Sequence, residues 1–162
     1  MTEVRHNGSW IIILSFIVAF MLMAMPLPDW AQSWRPVWPA IVLIYWCMAL
    51  PERVGIGIAW FIGLLLDVQQ GTLLGQNALG FTLIAFMTLA LYQRLRVCSL
   101  VKQAVVVASI LLFYLLISLW IRSMAGYPPQ LWTYWMPMAT SMLLWPWLFI
   151  VLRDLRRKYR VT

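Results

Sequence analysis

Few residues in this 162-residue chain are able to do chemistry. The stretch LLLDVQQGTLLGQNALG, residues 64–80, sets Asp67 directly behind an apolar run, with Gln69, Gln70, Gln76 and Asn77 close after it. A carboxylate among amides could relay a proton or hold a small polar ligand. A relay would need further acids or histidines inside the apolar segments, and the sequence offers none. His6 is the only histidine, and the five acidic residues stand singly. No pair of His, Cys or acidic residues has the spacing that metal binding favours. Cys47 sits in an apolar run and Cys98 in a basic stretch, which argues against a disulfide framework. The sequence therefore predicts no catalytic residue, no metal site and no cofactor.

The elements that must position these residues are set by composition. The chain is 64% hydrophobic, 15% aromatic and only 10% charged, against ~25% charged in ordinary soluble domains. A water-soluble fold of this size could not hide that much apolar surface, so its main solvent must be lipid. Six apolar segments, roughly 10–25, 37–51, 54–67, 78–92, 104–121 and 133–152, are separated by polar or Pro/Gly-rich breaks. The expected fold is an all-α integral membrane protein, a single polytopic domain over 1–162 with six transmembrane helices. A span usually takes ~20 residues. The first, fourth, fifth and sixth segments meet or approach that, whereas the second and third are short. These two either cross fully or form a re-entrant hairpin. Full crossing is favoured, because Glu52 and Arg53 at a mid-membrane hairpin tip would cost ~2.5–3.5 kcal/mol per charge. The first segment lacks a small-residue cleavage site after its apolar run and is read as an uncleaved span rather than a signal peptide.

Basic residues give the orientation. With the N-terminus inside, the inner segments carry ten of the twelve Lys and Arg residues, and the outer ones only Arg35 and Arg122. This bias predicts both termini in the cytoplasm. The net charge of +7 is thus a topology signal rather than a nucleic-acid footprint. Trp30, Trp34 and Trp38, spaced by four, would share a face if PDWAQSWRP continues into a helix, as a membrane-interface belt or a docking stripe. Pro137 and Pro146 are expected to kink the last span. Arg153, Arg156, Arg157 and Lys158 in the tail read as contacts to anionic membrane lipid, with a cytoplasmic partner as the alternative.

Read by fours, Gly55, Ala59, Gly63, Asp67, Gly71 and Gly75 form one series of small residues interrupted only by the carboxylate. On a helix they make a single slowly drifting stripe. Lipid offers helices no hydrophobic reason to associate, and small residues allow the close approach that packing needs. The third segment is therefore expected to pack tightly against a neighbour through Gly55, Ala59 and Gly63. Asp67 either marks the water interface and its turn, or is buried against donors from a neighbouring helix or a partner.

At this point the residues resemble a family. Arg35-Pro36-x-Trp38, Tyr45-Trp46, Leu50-Pro51, Arg53-Val54-Gly55 and the block from Gly63 through Asp67 to Gly75 are similar to the rod shape-determining MreD proteins. The ending with Trp145-Pro146-Trp147 before a basic tail is similar as well. The resemblance implies a non-enzymatic component of the bacterial inner membrane. It implies action with the bitopic protein MreC, the actin-like MreB cytoskeleton, and the elongation transpeptidase and glycosyltransferase that build lateral peptidoglycan. It also implies a fold like that of the substrate-binding subunits of energy-coupling-factor vitamin transporters. Such a transport subunit is the rival reading. It usually shows an A-x-x-x-A patch on the first span, where this chain has Ala19 and Ala24 five apart.

Overall fold

Proline and glycine decide where the helices begin and stop. The computed structural model describes residues 8–161; Arg5 and His6 lie outside them. Within the described residues every regular element is a helix: α1 (Ser9–Ala24), α2 (Asp29–Gln32), α3 (Trp38–Ala49), α4 (Ile56–Gln70), α5 (Gln76–Val97), α6 (Leu100–Met124), α7 (Leu131–Tyr134) and α8 (Met136–Lys158). Pro39 and Pro137 sit in the first turns of α3 and α8, where a missing N–H leaves no bond unmade. Pro137 therefore opens the last helix instead of kinking it, and Pro146 is the proline inside it.

The six longer helices alternate in direction. Gly8, before α1, lies against Val161 at the end of the chain, and the Trp10 ring meets Tyr159 edge-on at 5.4 Å. Arg96, near the end of α5, donates to the carbonyls of Met48 and Ala49 that finish α3. At the opposite end Arg35 donates to the carbonyls of Met23 and Met25, where α1 finishes. Each guanidinium neutralises carbonyls that a helix C-terminus leaves without partners.

Helix α3 is the centre. Every residue from Pro39 to Ala49 is buried, as its unbroken apolar sequence requires: a helix hydrophobic all round has no solvent face to present. Helices α1, α5, α6 and α8 pack on it, and α4 packs on α5. Two polar contacts cross this core. The Trp46 indole donates to Ser15 Oγ at 2.8 Å, and the Val37 N–H donates to Ser141 Oγ at 3.3 Å.

Three elements are long and apolar enough to cross a membrane: Gln76–Val97, Leu100–Met124 and Leu131–Lys158. The others are shorter, with 16 residues in α1, 12 in α3 and 15 in α4. At ~1.5 Å per residue α1 is about 24 Å long, which approaches but does not fill a ~30 Å hydrocarbon core.

The tryptophan stripe does not form. Trp30 lies on α2, Trp34 in the turn after it, and Trp38 opens α3. Pro36 breaks the helix between them, since it offers no N–H and biases Arg35 away from helical geometry. Trp30 and Trp34 are exposed, while Trp38 packs against the core.

Candidate functional site: a capped helix hairpin and two polar ends

Asp67 lies in the last turn of α4 and is 1% exposed. Gly71 closes that helix at φ +63, and Gly75 precedes α5 at φ +101, both in the left-handed region that favours glycine. The chain thus reverses in five residues and brings the start of α5 back over the carboxylate. Asp67 Oδ1 accepts from Thr72 Oγ1 at 2.8 Å and from the Asn77 N–H at 3.0 Å. Oδ2 accepts from the Gly75 N–H at 2.9 Å and the Ala78 N–H at 3.4 Å. These backbone donors are among those a helix leaves orphaned at its N-terminus, where the dipole also favours negative charge. Asp67 is a long-range cap: it staples α5 onto α4 across a reverse turn.

Asn77 extends the network. Its Nδ2 donates to Gln70 Oε1 and Thr72 Oγ1, and its Oδ1 accepts from the Tyr114 hydroxyl of α6 at 2.6 Å. The Tyr114 ring covers Gly80, where a Cβ would sit 2.5 Å from the ring. Tyr114→Phe keeps the packing but leaves Asn77 Oδ1 without this donor in a buried site. A loss of about 1–3 kcal/mol is expected, read as a lower midpoint in thermal unfolding of the detergent-solubilised protein.

The small-residue series divides into three parts. Ala59 and Gly63 are buried along α4 beside Asp67. A Cβ on Gly63 would lie 2.4 Å from Ala78 Cα and 2.6 Å from the Asn77 carbonyl oxygen, so here the two backbones nearly touch. Gly55 precedes α4 in extended geometry with nothing within 4 Å of its Cβ position, so it makes no tight contact of the kind expected. Gly71 and Gly75 belong to the turn, not to a helical stripe. The continuous stripe ends at Asp67 because α4 stops at Gln70.

Two polar cavities lie at opposite ends of the bundle. One, of about 340 Å³, is lined by Arg35, Gln70, Ser118, Arg122, Gln130 and Tyr134 among others. Asp67 does not line it, and Gln69 instead donates to the Phe20 carbonyl at 3.0 Å. The other, of about 370 Å³, lies where α3, α5 and α8 end and contains Arg96, Arg153 and Arg156. Arg157 and Lys158 are exposed beyond it. The described cations collect at this second end: Arg53, Arg94, Arg96, Lys102 and the tail from Arg153 to Arg160 all lie on the loops and helix ends there, whereas Arg35 and Arg122 lie at the other. Among the described residues no group of three or more His, Cys, Asp or Glu side chains could hold a metal ion.

Asp67, Arg35 and the Tyr45-Trp46 pair in the central helix are among the positions on which the family resemblance rests. A family model described as rod shape-determining protein MreD matches residues 4–155. The chain belongs to the MreD family. A curated relative from Haemophilus influenzae, named rod shape-determining protein MreD, is 35% identical over 163 residues, which cover 98% of this chain and 99% of the relative. No solved structure matches the chain. Membership makes this MreD-family chain a rod shape-determining membrane component. Its family residues do structural work. Arg35 caps α1, Trp46 binds Ser15, and Asp67 caps α5. The sequence does not single out Tyr114 or Gly80, and it marks Arg96 only as one of the basic residues that set topology. The one available sign for Tyr114 was Asn77, an amide opening an apolar segment and in need of a partner.

Proposed function

We propose that this MreD-family chain is a multi-pass scaffold of the bacterial inner membrane, with six spans and both termini in the cytoplasm. On this reading it performs no catalysis and joins an MreC-type bitopic protein to the elongation transpeptidase and glycosyltransferase, with the MreB-type cytoskeleton engaged directly or through MreC. The alternating helices and the collection of cations at one end support the six-span reading. For the short helices α1, α3 and α4, local thinning of the bilayer and snorkelling of Arg53 would make up the missing length. A helix arrangement like that of energy-coupling-factor substrate-binding subunits is part of the same proposal.

One observation carries the scaffold reading. The ring of helices around α3 has a gap between α1 and α8, an apolar groove of about 340 Å³ with Val42 of α3 in its floor. Leu14 and Val18 of α1 form one wall, Trp147 and Val151 of α8 the other. The gap runs along the helices and offers ridges for one further helix, which a bitopic protein possesses. The stapled α4–α5 pair, by contrast, spends Ala59, Gly63 and Asp67 on internal packing, which favours the core role over partner contact for that stripe.

Affinity purification of the tagged chain from mildly solubilised native membranes, with quantification of co-purifying proteins, tests the assembly. MreC-type protein and the wall-elongation enzymes should be enriched over an unrelated six-span control. Enrichment of ATPases and an energy-coupling membrane subunit instead would return the chain to the transporters and make the Arg35–Arg122 cavity a substrate site.

A further inference from the structure

The basic cavity at the ends of α3, α5 and α8 is not used by the scaffold role. Arg96, Gln103, Arg153 and Arg156 line its polar side, and Tyr45 and Phe149 its aromatic side. Three guanidinium groups thus border one space of about 370 Å³, and no carboxylate does. The nearest acid along α8, Asp154, meets Arg153 Nε at 3.7 Å with both side chains exposed, 44% and 63%. Such a pair is too solvated to cancel the charge.

Helix capping consumes only part of this charge. Arg96 is committed, donating to Met48 and Ala49 at 2.9 and 2.8 Å. Arg156 reaches the Ala49 carbonyl only at 3.5 Å, beyond ordinary hydrogen-bond length. Arg153 and Arg156 therefore keep most of their donors, and a planar guanidinium matches two oxygens of a phosphate at once. Gln103 is 3% exposed. Its amide nitrogen donates to the Leu95 and Cys98 carbonyls, while its carbonyl oxygen has no partner among the described residues. The wall thus combines phosphate donors, an unused acceptor and an aromatic flank, at the end of apolar helices where lipid headgroups lie.

We propose that this cavity binds the headgroup of an anionic phospholipid. Arg153 and Arg156 hold the phosphate, Gln103 offers its free carbonyl to a headgroup hydroxyl, and the acyl chains leave past Phe149 into the bilayer. This differs from diffuse attraction to a basic tail, because Arg157 and Arg160 carry the same charge and do not line the cavity. The inference stands independently of the partner proposed above.

Native mass spectrometry of the full chain released from detergent tests it, with dioleoyl phosphatidylglycerol, dioleoyl phosphatidylcholine and inorganic phosphate as probes. Retention of phosphatidylglycerol should exceed that of phosphatidylcholine by roughly tenfold or more. The paired variant Arg153→Gln/Arg156→Gln should lose about tenfold of that binding, while Arg157→Gln/Arg160→Gln stays within about twofold of the parent, a contrast expected of donors that converge on one cavity against dispersed, screened surface charge. The charge-state envelope shows that each variant is folded. Equal losses in the two paired variants would overturn the site in favour of diffuse attraction. Inorganic phosphate binding as tightly as the lipid would make it a free-anion site and overturn the lipid assignment.

Discussion

Gly63→Ala should destabilise the folded chain by about 3 kcal/mol, the upper end for overpacking. The added methyl would meet Ala78 Cα at 2.4 Å, the Asn77 carbonyl oxygen at 2.6 Å and the Ala78 nitrogen at 2.7 Å. All three are backbone atoms of α5, so no rotamer change relieves the clash, and α5 must move away from α4. That movement would also lengthen the bonds from Asp67 to Asn77 and Ala78, which lie at the same contact. Gly57→Ala is the matched control. It lies on the same helix with nothing within 4 Å of its Cβ position, and alanine is the better helix former by about 1 kcal/mol. Thermal unfolding in detergent should therefore show a large fall for Gly63→Ala and an unchanged or slightly raised midpoint for Gly57→Ala. Equal midpoints for the two variants would mean that the α4–α5 contact is looser than described.

Asp67→Ala should be at least as damaging. The change strands the Thr72 hydroxyl and three backbone N–H groups, those of Gly75, Asn77 and Ala78, in or beside a buried site. Each orphaned donor costs about 1–3 kcal/mol, so a total loss of roughly 3 kcal/mol or more is expected even if water reaches some of them. Asp67→Asn separates charge from shape. An amide keeps one acceptor oxygen but turns an NH₂ toward donors on the other side, and it no longer complements the positive end of the α5 dipole. It should recover no more than about half of the loss seen with alanine. A full recovery of stability in Asp67→Asn, measured by the same unfolding curves, would show that only the turn matters at this position.

The sequence and the structure agree most closely where one physical cause dominates. Lipid as solvent favours apolar helices, and each of the six apolar segments holds one longer helix, with the last running on from the expected end at 152 to Lys158. The unbroken apolar run from Ala40 to Cys47 had no polar face to offer, and it lies at the centre. Agreement fails where two local rules compete. The spacing of four from Gly55 to Gly75 is compatible with a stripe on one helix. The same glycines, at Gly71 and Gly75, are also what a tight reversal needs, and the reversal wins beyond Asp67. Spacing likewise placed Trp30, Trp34 and Trp38 on one face, but Pro36 overrode it. The partners of Asp67 were not legible at all, since nothing in a linear pattern says that a carboxylate will cap the next helix rather than meet another subunit. Arg35 and Arg96 were read as topology signals, and their carbonyl-capping bonds depend on helix ends brought close only by folding.

On the proposed reading, this MreD-family chain is a scaffold that receives a partner's membrane helix between α1 and α8. In-membrane photo-crosslinking tests it most directly, with a crosslinking side chain placed singly at Val18, Val151 or Phe113. Val18 and Val151 face each other across the groove and are 47% and 42% exposed, while Phe113 is 52% exposed on α6, away from it. An adduct with an MreC-type bitopic protein is expected from Val18 and Val151 and none from Phe113. Adducts from Phe113 alone, with only lipid captured at Val18 and Val151, would contradict it.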